Sequence, residues 1–180
     1  ASGSFEVDEK MGNNPGEIGR IKDNLMSLMQ NEKFDLDSIL VTSSASPEGT
    51  VKFNDRLSKL RSEGISEYFS KWMNHYQDSL ERERGFAVDE EGNIIIQKRT
   101  QIPMIGRSNG ENWQMLDRLV EKDTVMTEDE KKSYISYAEI KDIDQRERSL
   151  QSLGCYRHMR EKLYPRLRTV RFDFHLHRKG

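Results

Sequence analysis

Residues 39–42, Ile39-Leu40-Val41-Thr42, form an unbroken aliphatic and β-branched run flanked by Ser38 and Ser43. Such a run suits a strand covered on both faces, in the interior of a sheet. It breaks at Ser43-Ser44-Ala45-Ser46-Pro47-Glu48-Gly49, where small hydroxyl residues, a proline and a glycine are turn chemistry. Asn54, Leu57, Ser58 and Arg61 then follow at helical spacing. Asn54 reads as the N-cap, and Leu57, Leu60, Ile65, Tyr68, Phe69 and Trp72 read as the apolar stripe, with Arg61 on or beside it. Gly64 inside that helix costs up to ~1 kcal/mol against alanine, which predicts a close packing partner there.

A polar loop at the carboxyl end of a central strand, feeding a helix, is where open α/β sheets hold ligands. Hydroxyls and backbone N–H groups of the 43–49 turn, Ser44 and Ser46 among them, suit a carboxylate or amide, helped by the positive end of the next helix. Arg61 offers a fork matched to a carboxylate, and Glu48 suits an ammonium group. The purely structural alternative has Arg61 paired with a nearby acid and Asn54 acting only as a cap.

The other segments follow the same two periods. Residues 4–10 alternate Phe5 and Val7 against Glu6 and Asp8, a short half-buried strand. A loop over 11–16 precedes a helix from Glu17 that lines up Ile18, Ile21, Leu25, Leu28 and Met29. The charges of 78–84 read as a solvated helix end. Residues 86–88 and 94–96 flank Asp89-Glu90-Glu91-Gly92-Asn93 as a hairpin whose second arm runs through Lys98 and Thr100 towards Ile102. Pro103 and Gly106 to Gly110 read as a loop and 111–120 as a helix. Thr127 with Glu130 predicts a capping box, with Tyr134 and Ile135 on the helix it opens. Helices are expected over 142–153, closed by Gly154, and over 156–163, stopped near Pro165. Residues 169–178 alternate strictly, Val170, Phe172, Phe174 and Leu176 against Arg171, Asp173, His175 and His177, the clearest strand in the chain. Strands alternating with helices imply a mixed sheet with helices on one or both faces.

The chemistry is bounded by what is missing. Acids and bases nearly cancel, 31 against 29 in 180 residues, so no global field recruits nucleic acid. No apolar run approaches the ~20 residues of a membrane span, and residues 1–4 read as a trimmed start without a signal peptide. Cys155 is the single cysteine and reads as a buried structural thiol. Ser44 and Ser46 have no base near them in sequence, and no nucleophile elbow, helical zinc-protease motif or phosphate-binding glycine loop occurs, so no enzyme is expected. His175 and His177, with His158 and Cys155, could form a metal set, but two histidines on a solvent face explain the same letters. Asp142, Asp144 and Glu147 lack calcium-loop spacing and read as acids at a helix start. No cofactor or metal is expected.

Residues 39–69 resemble the OmpA-like (OmpA/MotB carboxy-terminal) peptidoglycan-associating domain. The family pattern is a hydrophobic strand, Thr-Asp-x-x-Gly, then Asn-x-x-Leu-Ser-x-x-Arg; Gly49 matches the glycine, and Asn54, Leu57, Ser58 and Arg61 match the helical half at identical spacing. Gly106-Arg107-Ser108-Asn109 is similar to the family's Gly-x-Ser-Asn loop after its third strand. The resemblance covers most of 4–110 and the last strand. It implies one α+β domain over 1–180, a βαβαβ mixed sheet packed on helices, with an inserted hairpin (about 74–93) and extra helices (about 121–165). It also implies a non-catalytic cell-envelope module that binds the diaminopimelate-type stem peptide of peptidoglycan through Ser44, Ser46, Glu48, Asn54, Leu57 and Arg61. The expected place is the periplasm, held at the outer membrane through a part outside this chain, with other envelope proteins as further partners. Ser46 stands where the family has its aspartate, and a hydroxyl cannot neutralise an ammonium group. That departure keeps open a protein-interaction module of an envelope or surface-fibre assembly that has lost peptidoglycan binding.

Overall fold

The computed structural model describes residues 2–8, 14–85, 87–95 and 101–180. The fold is α+β. Strands β1 (Ser2–Asp8), β2 (Phe34–Ala45), β5 (Met104–Glu111) and β6 (Thr169–Arg178) form a mixed sheet in the order β1-β6-β2-β5. β6 runs antiparallel to both neighbours, and β2 runs parallel to β5. The run at 39–42 therefore sits on an interior strand, and 169–178 is a strand over the residues its alternation predicts.

Helices α1 (Pro15–Met29) and α2 (Val51–Arg84) cover one face. Ile21 and Leu25 of α1 and Phe69 and Met73 of α2 are buried against Leu36, Ile39, Val41, Val170 and Phe172, with Phe69 and Phe172 meeting edge to face at 5.6 Å. On the opposite face Ile105, Arg171 and His175 reach solvent. α1 starts at Pro15, two residues before Glu17, because Asn14 caps it through the Glu17 N–H and proline at the first helical position lacks only a donor no helix would use.

The core face of α2 is not the predicted one. Asn54, Ser58, Ser62, Ser66, Phe69 and Met73 are buried, whereas Leu57, Leu60 and Tyr68 are exposed. Small residues are needed because the helix backbone lies on β5: a Cβ on Gly106 would come within 2.6 Å of the Ser62 and Glu63 backbone. Ser62 and Ser66 satisfy their buried hydroxyls on their own helix, donating to the carbonyls of Lys59 and Ser62. Gly64, expected to mark a close contact, has open space where a side chain would stand. The Gly106–Gly110 segment, expected as a loop, is the body of β5, paired with Val41 to Ser43.

The hairpin is present as β3 (Ala87–Val88) and β4 (Ile94–Ile95); the predicted arm over 96–100, and residues 9–13 of the first predicted strand and loop, lie outside the described residues. Helices α3 (Trp113–Lys122), α4 (Glu128–Tyr137) and α5 (Ile143–Leu150) join the 156–167 segment in a second core of Leu116, Leu119, Val120, Tyr134, Leu150, Met159, Leu163, Tyr164 and Leu167. Thr127 and Glu130 form the predicted capping box, while Ile135 faces solvent. The expected helix over 156–163 is instead one α-turn, a π-turn and a 3-10 turn that takes Pro165 near its start. Cys155 is buried, and burial pushes its thiol up to about 12, which keeps it inert.

Gly106→Ala is expected to cost about 2 kcal/mol or more in urea unfolding, since backbone rather than a flexible side chain must yield. Ser58→Ala, which removes a buried hydroxyl with no partner among the described residues, is expected to change stability by less than about 0.5 kcal/mol or to raise it.

Candidate functional site

The strand β2 outruns its predicted end. Ser43, Ser44 and Ala45 extend the ladder, so the turn starts only at Ser46. Gly49 takes φ +85°, a left-handed conformation that glycine adopts without strain, and Thr50 rather than Asn54 caps α2 by accepting from the Phe53 N–H. Asn54 lies inside the first turn, buried, and donates to Glu111 Oε2 at 2.6 Å. Glu111 closes β5, and its other oxygen accepts from the Trp113 indole at 3.0 Å. The Arg146 guanidinium lies over the Trp113 ring, 5.0 Å from its centre, and donates to the Ile140 carbonyl.

Arg168 reaches the turn from the opposite side. β6 is antiparallel to β2, so the residue preceding β6 comes to the carboxyl end of β2. Its Nε donates to Ser46 Oγ at 3.1 Å, and its Nη2 stands 3.5 Å from Glu48 Oε1. Both side chains of that ion pair are part-exposed, Arg168 at 28% and Glu48 at 38%. From α5, Asp144 accepts the Val51 N–H at 2.9 Å, placing an acid at the positive end of α2. Asp142 caps α5, as expected for an acid at a helix start. Glu147, one turn on from Asp144, is buried at 2% exposure and accepts the Tyr156 and Tyr164 hydroxyls, each at 2.6 Å.

The corner thus holds four carboxylates, Glu48, Glu111, Asp144 and Glu147, against two guanidiniums, Arg146 and Arg168. Burial pushes the Glu111 carboxyl up, and Asp144 adds to this, against the bonds from Asn54 and Trp113. Burial pushes Glu147 up to about 7; its two tyrosine donors oppose the shift, and Glu111 and Glu48 reinforce it.

Of the residues singled out in the sequence, Ser46, Glu48 and Asn54 meet in this corner, and Ser44 is buried on the strand leading into it. Leu57 is 41% exposed. Arg61 is half-buried and lines a different depression with Ile18, Leu60, Gly64, Ile65, Tyr68 and Phe69. The cation at Ser46 is Arg168 instead. Arg168 and Glu111 carry no functional expectation in the sequence, and Asp144 and Glu147 only that of acids at a helix start, because all four come from chain segments far from the motif. The signal for Arg168 was its place just before the strictly alternating strand. A catalytic Ser46 is disfavoured, since its hydroxyl accepts from a guanidinium that cannot take up a proton.

The histidines do not converge. His177 contacts Asp35 and Asp37, and His158 bonds Asp123 at 2.9 Å. Among the described residues no group of three or more His, Cys, Asp or Glu side chains is placed to hold a metal, and no helix is long and apolar enough to cross a membrane. No family model matches the chain, and no curated protein matches it.

Glu147 gives stability a pH signature. Its carboxyl holds a proton up to about 7 when folded, against 4.5 ordinarily. Between those values the folded chain binds more protons than the unfolded one, so stability falls as pH rises through the window. The expected loss from this group between pH 4 and 8 is on the order of 3 kcal/mol. Urea unfolding of wild type and Glu147→Gln across that range should show the wild type losing stability relative to the variant by an amount of this size.

Proposed function

We propose that this chain is a non-catalytic binding module of the cell envelope, OmpA-like in architecture, that holds the zwitterionic tip of a peptidoglycan stem peptide at the Ser46 corner. The sheet order β1-β6-β2-β5, with the binding turn between an interior strand and the amino end of α2, is consistent with the fold that the sequence resemblance implies. The observation that carries the reading is the part-exposed Glu48–Arg168 pair beside Ser46. At 3.5 Å it is longer than a good charge-assisted hydrogen bond, which lies near ~2.8 Å. A ligand ammonium on Glu48 and a ligand carboxylate on Arg168 would replace one loose pair by two close ones. The negative charge that Ser46 lacks is made up by Glu48, Glu111 and Asp144. The arginine role then belongs to Arg168, not to Arg61.

Co-sedimentation with purified diaminopimelate-type sacculi tests this assignment. Wild type and Arg61→Ala should sediment alike, while Glu48→Gln and Arg168→Gln should each lose about 10-fold or more in affinity, the worth of a charge-assisted bond. Retention of binding in both corner variants, or its loss in Arg61→Ala alone, overturns the assignment.

One observation favours the protein-interaction reading instead. Phe53, Leu57, Leu60 and Tyr68 form an outward apolar stripe on α2, the kind of surface that partners cover. Failure of the wild type to sediment at all would select that reading.

A further inference from the structure

Gly64 is a glycine that the fold itself does not require. It lies inside α2, where glycine costs helix stability against alanine, its φ is not positive, and a Cβ there would meet nothing within 4 Å. What its bare backbone does is open the floor of a groove. Leu60 and Tyr68 stand one turn before it and one turn after it, 56% and 48% exposed. With Ile18 of α1 and with Ile65 and Phe69 they line a cleft of about 470 Å³. Small-molecule sites have volumes of ~300–1,000 Å³. Leu60 and Tyr68 are eight residues apart, about 12 Å along the helix axis. Less the bulk of those two side chains, the gap admits a linear chain but not a partner helix, which is ~10–12 Å across.

The groove is apolar and its rim is positive. Arg61 lines it, and Lys22 of α1 holds its ammonium beside it, 5.4 Å from the centre of the Tyr68 ring and 5.7 Å from that of Trp72. Among the described residues no acid lines it: Glu63 and Glu67 are outside the lining, and Glu67 pairs with Lys71 at 3.0 Å. Lysine and arginine stems lie along apolar surface while their charges stay in water. Exposed apolar walls that end at two cations are complementary to an amphiphile with an anionic head.

We infer that the groove between α1 and α2 binds a linear alkyl chain with a carboxylate or phosphate head, the chain over Gly64 and the head at Lys22 and Arg61. This goes beyond the wall-binding reading and does not rest on it, since the groove shares no lining residue with the Ser46 corner. Gly64 is then explained by the ligand: any side chain there would fill the floor on which the chain lies.

Isothermal titration calorimetry of the full chain with monomeric decanoate, decanol and decyltrimethylammonium tests this. Wild type should bind decanoate at a single site, about 5- to 10-fold tighter than decanol, as expected of part-exposed charge pairs, with the cationic amphiphile weakest. Lys22→Gln should weaken decanoate about 3- to 5-fold and leave decanol unchanged. Gly64→Leu should weaken both at least about 10-fold, because the methylenes lose their seat. Gly64→Ala should raise the urea midpoint, because alanine favours the helix. Phosphatidylglycerol vesicles distinguish the two sources of such a ligand. Flotation of wild type but not of Gly64→Leu makes it a bilayer lipid, and decanoate binding without flotation makes it a free amphiphile. No decanoate binding by wild type, equal affinity for decanol, wild-type affinity in Gly64→Leu, or a lowered urea midpoint in Gly64→Ala overturns the inference. Self-association that Gly64→Leu abolishes, without decanoate binding, overturns it in favour of a second copy of the chain.

Discussion

The close seating of α2 on β5 governs everything built around it. Gly106 lets the helix backbone approach until only serines fit beneath it, and this brings the amino end of α2 down beside the carboxyl ends of β2 and β5. Asn54 then meets Glu111, and the Val51 N–H meets Asp144. A bulkier interface would lift the first turn of α2 and separate these pairs. The serine face contributes little transfer free energy of its own, since burying hydroxyls is useful only when they are bonded. Its role is geometric, and the stabilisation comes further along the helix, where Phe69 and Met73 enter the core.

The second core supplies the other wall of the corner. Its buried residues support α5 and the turns of 156–167, and these deliver Asp144 and Arg168 to a turn more than ninety residues upstream. Carboxylates withdrawn from water carry a desolvation cost, and both the half-buried Glu111 and the buried Glu147 are met by donors, Asn54 and Trp113 for the first and two tyrosines for the second. The corner is therefore polar, part-exposed and hydrogen-bonded, with its longest ion pair between Glu48 and Arg168.

Much of the fold could be read from the chain because two strands carry opposite signatures. The apolar run at 39–42 belongs inside a sheet, and the alternation at 169–178 belongs on a half-covered face; the two pair with each other. The capping box at Thr127 is a local motif and formed as written. The errors have a common physical origin. Leu57 and Leu60 outrank Ser58 and Ser62 on any hydrophobicity scale, yet shape complementarity with a glycine-bearing strand decides which face is buried. Gly106 to Gly110 has the composition of a loop, but ladder pairing with β2 overrides local preference. Within the site, the turn and Glu48 were legible, because turn chemistry is local. Arg168 and Glu147 were not, because long-range topology alone brings them there.

The length of α2 has a consequence of its own. Its 34 residues span about 51 Å, whereas the eight residues of β5 span about 27 Å. Among the described residues none after Met73 in the helix is buried, and beyond Gln77, which lines a depression with Leu36 and His177, the helix runs on towards the β3–β4 hairpin. At physiological salt, charges lose sight of each other over about 8 Å. The acidic hairpin turn at Asp89-Glu90-Glu91 is therefore electrostatically deaf to the carboxylates at the far end of the helix. Substitutions at the two ends should add without coupling, and the helix serves as a spacer that insulates one from the other.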